Sequence, residues 1–147
     1  GDKELEQLRD LARKLKISRR VHFLGARPQQ ELPAIYSAAD VTVVPSYHES
    51  FGLAAVESLA CGTPVVATRA GGLMTVVCDG ETGYLVRRCP GFFAEKLDSL
   101  LQNSEVLGQM RAAARPSVLQ YSWKHVARQV VDVYEDVISE VGCLVAQ

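Results

Sequence analysis

Two glutamates, Glu49 and Glu57, have seven residues between them and enclose the stretch Ser50-Phe51-Gly52-Leu53. An apolar β-branched run, Val41-Thr42-Val43-Val44, precedes them, and a second, Val65-Val66-Ala67, follows. Short β-branched runs on either side of a helical pattern read as a βαβ unit in a buried parallel sheet. The loop leaving the first strand then opens onto a helix N-terminus, the place where open α/β sheets bind ligands. Ser50 is positioned to cap that helix, which leaves the N–H groups of Phe51, Gly52 and Leu53 without intrahelical partners. Gly52 lacks a side chain, so an anion can approach these amides closely, and the helix dipole favours negative charge there. Glu49 lies beside this anion site, and Glu57 lies roughly 7–9 Å further along the helix. A ligand presenting hydroxyls, then phosphate, then a second hydroxyl pair matches that order. A nucleotide-diphosphate sugar is such a ligand.

Each residue also has a plainer reading. A helix glutamate is most often solvated. Glu57, however, is flanked by Ala55, Val56, Leu59 and Ala60 on a helix that should be covered. A buried carboxylate needs donors, and a ribose diol supplies two. Glu49 alone is explained by the helix dipole, worth some tenths of a kcal/mol. The two glutamates also invite a glycosidase reading, which needs carboxyl groups roughly 5–5.5 Å or 6.5–9.5 Å apart across one bond. The backbone rise between them is about 12 Å if helical throughout, which disfavours hydrolysis. Transfer from an activated donor asks less of the protein, because amides and cations need only stabilise the departing diphosphate. No enzyme nucleophile stands out.

The wider run is Ala39-Asp40, Val44-Pro45-Ser46, Glu49-Ser50-Phe51-Gly52, Glu57, Ala60-Cys61-Gly62-Thr63-Pro64-Val65-Val66-Ala67, Gly71-Gly72-Leu73, Asp79-Gly80 and Thr82-Gly83. In this order it resembles the retaining glycosyltransferases of the group 1 family (GT4), whose E-x7-E motif Glu49 and Glu57 match. The resemblance covers roughly residues 1–137. It implies an α/β, Rossmann-like parallel sheet with flanking helices, part of the C-terminal, donor-binding half of a two-domain GT-B fold. It further implies transfer of a hexosyl group from a nucleotide-diphosphate sugar to an unknown acceptor, with retention at the anomeric carbon and no metal or other cofactor. By resemblance Glu49 is the catalytic-site carboxylate holding donor-sugar hydroxyls, Glu57 binds the ribose, and Ser50, Phe51, Gly52 and Leu53 line the sugar and distal phosphate. Arg27, in the loop Gly25-Ala26-Arg27, is implied near the base or a phosphate; alone it reads as a surface cation before a helix. Arg69 and His48 are weaker candidates, and the Gly71-Gly72 pair reads as a tight turn. Thr75 stands where many relatives carry a glutamate. Branches resembling sucrose-phosphate synthase and inositol-acceptor enzymes share that departure, which tilts the donor toward a UDP-hexose.

The bulk sequence narrows the alternatives. A net charge of −1 gives no electrostatic case for nucleic acid or an anionic membrane. The P-loop and the Gly-rich dinucleotide fingerprint are both missing, arguing against an NTPase and a dehydrogenase. Cys61, Cys78, Cys89 and Cys143 have no zinc or disulfide spacing and read as reduced, mostly buried thiols of a cytoplasmic protein, peripheral to a membrane at most. The 147 residues read as a single partial nucleotide-sugar-binding domain with C-terminal helices. The basic Gly-Arg…Lys motif of the resembling family is not found, and neither is its N-terminal domain, a partner the reading requires. The chain alone is therefore expected to be inactive, and either to self-associate through an exposed sheet edge or to be marginally stable. A non-catalytic nucleotide-sugar-binding module or an inactive fragment is the alternative.

Periodicity supplies the framework. Leu5, Leu8, Leu11, Ala12 and Leu15 predict a first helix with Asp2 as N-cap, and Val21-His22-Phe23-Leu24 predicts a strand. Leu32, Ile35, Tyr36 and Ala39 predict a second helix begun near Pro28-Gln29. After the central unit come a short helix over residues 73–78, a turn at Asp79-Gly80 and a strand at Tyr84-Leu85-Val86. Two helical stripes follow, Phe93-Leu97-Leu100-Leu101 and Leu107-Met110-Ala114, the second capped by Ser104 and ended or kinked at Arg115-Pro116. Ser122 caps a last helix with Val126, Val130, Val133, Tyr134 and Val137 on one face.

Overall fold

A computed structural model describes the backbone of residues 2–145 and the side chains of residues 3–139. The Asp2 cap and the Cys143 thiol lie outside the described side chains. The chain forms two compact units, Gly1–Glu31 and Leu32–Gln147.

The first unit holds α1 (Asp2–Lys14) and short 3-10 turns. Only Ala12 of its apolar stripe is buried, while Leu8, Leu11 and Leu15 are exposed. Residues 21–24 do not form the expected strand. Val21 has extended dihedrals, but no ladder joins these residues to another strand among the described residues. A strand exists only through its partner's hydrogen bonds, so a largely apolar run without one stays irregular.

The second unit contains α2 (Leu32–Ala38), β1 (Thr42–Val44), α3 (Leu53–Ala60), β2 (Val65–Thr68), α4 (Leu73–Val76) and β3 (Gly83–Val86). It continues through α5 (Pro90–Gln102), α6 (Ser104–Val118) and α7 (Trp123–Val145). The three strands form a parallel sheet in the order β1-β2-β3, with Val43 opposite Val66 and Val66 opposite Tyr84. All four residues of β2 are buried, as expected of a central strand covered on both faces. Strand alternation divides the core. Val65 and Ala67 pack with Ala55, Leu59, Leu73 and Ala114, whereas Val66 packs with Phe93, Leu100 and Met110. The sheet is thus the middle of a three-layer arrangement. Leu59 is fully buried at its centre. Leu59→Ala is expected to lower unfolding free energy by about 2–5 kcal/mol, read as a shifted denaturant midpoint at unchanged slope.

Local differences from the sequence reading have local causes. The cap of α6 is Asn103, whose Oδ1 accepts from the Val106 N–H at 3.1 Å, and Ser104 is already the first helical residue. Pro116 does not end α6, which runs on to Val118 and then tightens into a 3-10 turn. The proline's missing N–H would have bonded the carbonyl of Ala112, an exposed residue that water can serve. Helix α4 stops at Val76, short of Cys78. Leu101 is exposed, leaving Phe93 and Leu100 as the buried residues of α5. Ser122 does cap α7, its Oγ accepting from the His125 N–H at 3.4 Å. The predicted face of α7 exists, but Val130, Val133, Tyr134 and Val137 are exposed. The described thiols are not buried either, since Cys78 and Cys89 are exposed and Cys61 is half-buried.

Candidate functional site

The loop from β1 to α3 is fixed from below. The Thr68 hydroxyl, buried at the end of β2, donates to the Ser46 carbonyl at 2.7 Å. The Gly72 N–H donates to the Glu49 carbonyl at 2.9 Å. A Cβ on Gly71 would stand 1.9 Å from that carbonyl oxygen, and one on Gly72 would stand 2.5 Å from Phe51 Cα. The glycine pair therefore does more than turn the chain, because it admits the backbone of residues 49–51. The Phe51 ring packs edge-on against Tyr121, with centroids 5.2 Å apart, so this side chain anchors the loop.

Helix α3 begins differently from the serine-capped start expected. Its N-cap is Gly52, in the left-handed conformation (φ 96°, ψ 44°), while Ser50 is an exposed bend that caps nothing. The carboxylate of half-buried Glu49 takes over: Oε1 accepts from the Gly52 N–H at 3.2 Å and Oε2 from Ser46 Oγ at 3.5 Å. The Gly52 amide is thus already engaged. The N–H groups of Phe51, Leu53 and Ala54 meet no acceptor among the described residues. These donors, at the positive end of the α3 dipole, keep the capacity to bind an anion.

Glu57 lies on the second turn of α3 and is half-buried. Its Oε2 accepts from the Tyr36 hydroxyl at 3.2 Å, reaching across to α2. Burial of the phenol, then the adjacent Glu57 charge and this hydrogen bond, push the Tyr36 pKa above the ordinary tyrosine value. Tyr36 therefore remains a proton donor throughout the neutral range. Nothing in the sequence pairs residues 36 and 57; Tyr36 reads there as one apolar position on a helix face. The only signal was its hydroxyl, which an aliphatic core position would lack.

A cavity of about 380 Å³ opens at the carboxyl ends of the three strands, beside Ser46, Thr68, Arg69 and Arg88. Arg69 is paired with Asp79 at 2.7 Å. Arg88 is held by the Pro45 carbonyl at 2.9 Å, its guanidinium carbon 3.1 Å from the Tyr47 ring centroid. His48 and Thr75 are exposed. Arg27 belongs to the first unit, where its Nε donates to the Leu24 carbonyl at 3.0 Å and Nη1 to Glu31 at 3.5 Å. The structure thus draws Glu49 and residues 50–53 together at the start of α3 and sets Glu57 one turn on. Among the described residues no three His, Cys, Asp or Glu side chains group as metal ligands. No described helix is long and apolar enough to cross a membrane.

The family model for "Glycosyl transferases group 1" matches residues 1–116. The chain belongs to this family. A D-inositol 3-phosphate glycosyltransferase of Corynebacterium diphtheriae is 47% identical over 133 residues, 90% of this chain and 31% of the relative. One of Stackebrandtia nassauensis is 42% identical over 132 residues, covering 89% of this chain and 30% of the relative. This group 1 chain therefore spans about a third of the length of the curated relatives it matches. Among solved structures, a sucrose-phosphate synthase from Thermosynechococcus elongatus superposes with a TM-score of 0.84 at 34% identity, over 93% of this chain and 35% of that one. Anabaena HepE in complex with UDP gives 0.83 at 25% identity, over 90% and 36%. The C-terminal domain of a group 1 protein (LpcC) from Francisella tularensis gives 0.69 at 33% identity, over 80% and 60%. The parallel sheet with flanking helices is accordingly the fold of a partial GT-B glycosyltransferase chain.

Proposed function

We propose that this chain is the donor-binding part of a retaining glycosyltransferase, which moves a hexosyl group from a UDP-hexose to an acceptor hydroxyl. The observation that carries this reading is the order of groups along α3. Glu49 sits at its mouth, unengaged amides at its first turn and the Tyr36-bonded carboxylate of Glu57 on its second. In this reading Glu49 holds hydroxyls of the donor sugar, and the N–H groups of Phe51, Leu53 and Ala54 receive the diphosphate. Glu57 accepts from the ribose diol. As UDP departs, its developing charge lies against amides that are oriented beforehand, so the leaving group needs little reorganisation of the site. A separate N-terminal domain supplies the acceptor site.

The donor assignment is supported by the likeness to HepE, whose structures hold UDP and UDP-glucose. For the acceptor we favour a phosphorylated cyclitol, after the relatives named for D-inositol 3-phosphate. Calorimetric titration with UDP, ADP and GDP, each with and without attached glucose, tests the donor. UDP and UDP-glucose should bind and the purine nucleotides should bind at least tenfold more weakly. Preference for a purine nucleotide would overturn the UDP assignment. Silence from all six would leave an inactive fragment.

A further inference from the structure

We propose that Tyr36 is a positioning residue that holds the Glu57 carboxylate in the one orientation able to grip a ribose cis-diol, and so helps the site distinguish ribonucleotides from deoxy analogues. The inference rests on the reading of Glu57 as the ribose-binding group and extends it to a residue of another helix. The phenol donates to Glu57 Oε2 at 3.2 Å. A carboxylate has about four acceptor positions, so Oε1 and the second lone pair of Oε2 remain for two ligand hydroxyls.

Both ends of this hydrogen bond are anchored. The Tyr36 carbonyl accepts from Thr63 Oγ1 at 2.7 Å, and Thr63 is itself buried. Ser58, the neighbour of Glu57, is fully buried; its Oγ donates to the Thr63 carbonyl at 2.9 Å and shares a hydrogen bond with Thr42 Oγ1 at 2.8 Å. The backbones carrying the phenol and the carboxylate are therefore tied to one another through Thr63. Tyr36 and Glu57 are each only half-buried, so water could serve either group if the other were absent. Their bond is not required to satisfy buried atoms. What it does is select one rotamer of a long side chain that would otherwise sample several, removing an ordering penalty from ligand binding.

Tyr36→Phe deletes the hydroxyl and keeps the ring. Affinity for UDP and for 2′,3′-dideoxy-UDP is measured by calorimetry in the wild type, in Tyr36→Phe, in Glu57→Gln and in the double variant, alongside thermal melting. The expected result is about fivefold weaker UDP binding in Tyr36→Phe, the size of one net hydrogen bond. Dideoxy-UDP should change less than twofold and the melting midpoint should hold. The two substitutions should combine to less than the product of their separate effects, because they remove one interaction. Equal weakening of UDP and dideoxy-UDP, or fully multiplicative losses, would overturn the role of Tyr36. A wild type that binds both nucleotides equally would instead remove the ribose reading of Glu57, and the positioning role with it.

Discussion

Glu57→Ala is expected to weaken UDP binding by about 100-fold or more while leaving thermal stability unchanged or slightly raised. The carboxylate would accept two charge-assisted hydrogen bonds from the ribose, each worth about 1.5–3 kcal/mol net. Losing about 3 kcal/mol corresponds to roughly two decades in Kd. Stability should hold because the side chain is half-exposed on a helix, where alanine is the better helix former, and because water can reach the Tyr36 hydroxyl left behind. Calorimetry paired with melting separates the two effects. A variant that binds UDP within threefold of the wild type removes Glu57 from the site.

The second large effect is at Gly71. Its φ of +46° disfavours alanine by about 1–2 kcal/mol on conformation alone. The added Cβ would also lie 1.9 Å from the Glu49 carbonyl oxygen. That contact is with backbone, so no side-chain rotation relieves it, and the loop carrying Glu49, Ser50 and Phe51 must move. Gly71→Ala should cost about 3 kcal/mol in stability and abolish detectable nucleotide binding. Gly80 is the matched control. It too has positive φ, but nothing lies within 4 Å of its would-be Cβ, so Gly80→Ala should bear only the conformational penalty and keep full binding. If the two variants behave alike, steric support of the loop by the glycine pair is not what shapes the site.

How far the sequence speaks for itself follows from which forces are local. The β1-α3-β2 unit was legible because its signal is composition and period: β-branched runs bounding an eight-residue helix with Leu59 and Ala55 inward. β3 and the capped start of α7 were legible for the same reason. The failed strand at residues 21–24, Val-His-Phe-Leu, carries a similar apolar signal, but a ladder is a relation between two segments, and composition describes only one. The α3 cap failed on a near-tie between neighbours. Ser50 is a good capping type, yet Gly52 takes the left-handed turn and lets the Glu49 carboxylate reach back to its amide. Asn103 won over Ser104 by a single position in the same way. The apolar stripe of α7 is legible as a pattern, but a pattern does not say what covers it, and Val133 and Tyr134 are exposed. The Glu49 and Glu57 spacing was visible because both lie on one short segment. Tyr36 was not, since its bond to Glu57 spans 21 residues and two helices. The support that Gly71 and Gly72 give to residues 49–51 was likewise a tertiary fact, disguised as a turn signal.

The most direct measurement is a crystal structure of the chain with UDP bound. The ribose hydroxyls should lie within hydrogen-bond distance of the Glu57 carboxylate, with the diphosphate on the amides of the first turn of α3 and the Tyr36 hydroxyl still on Oε2. Well-defined UDP seated elsewhere, for example in the cavity beside Arg69 and Arg88, with Glu57 untouched, would contradict the account.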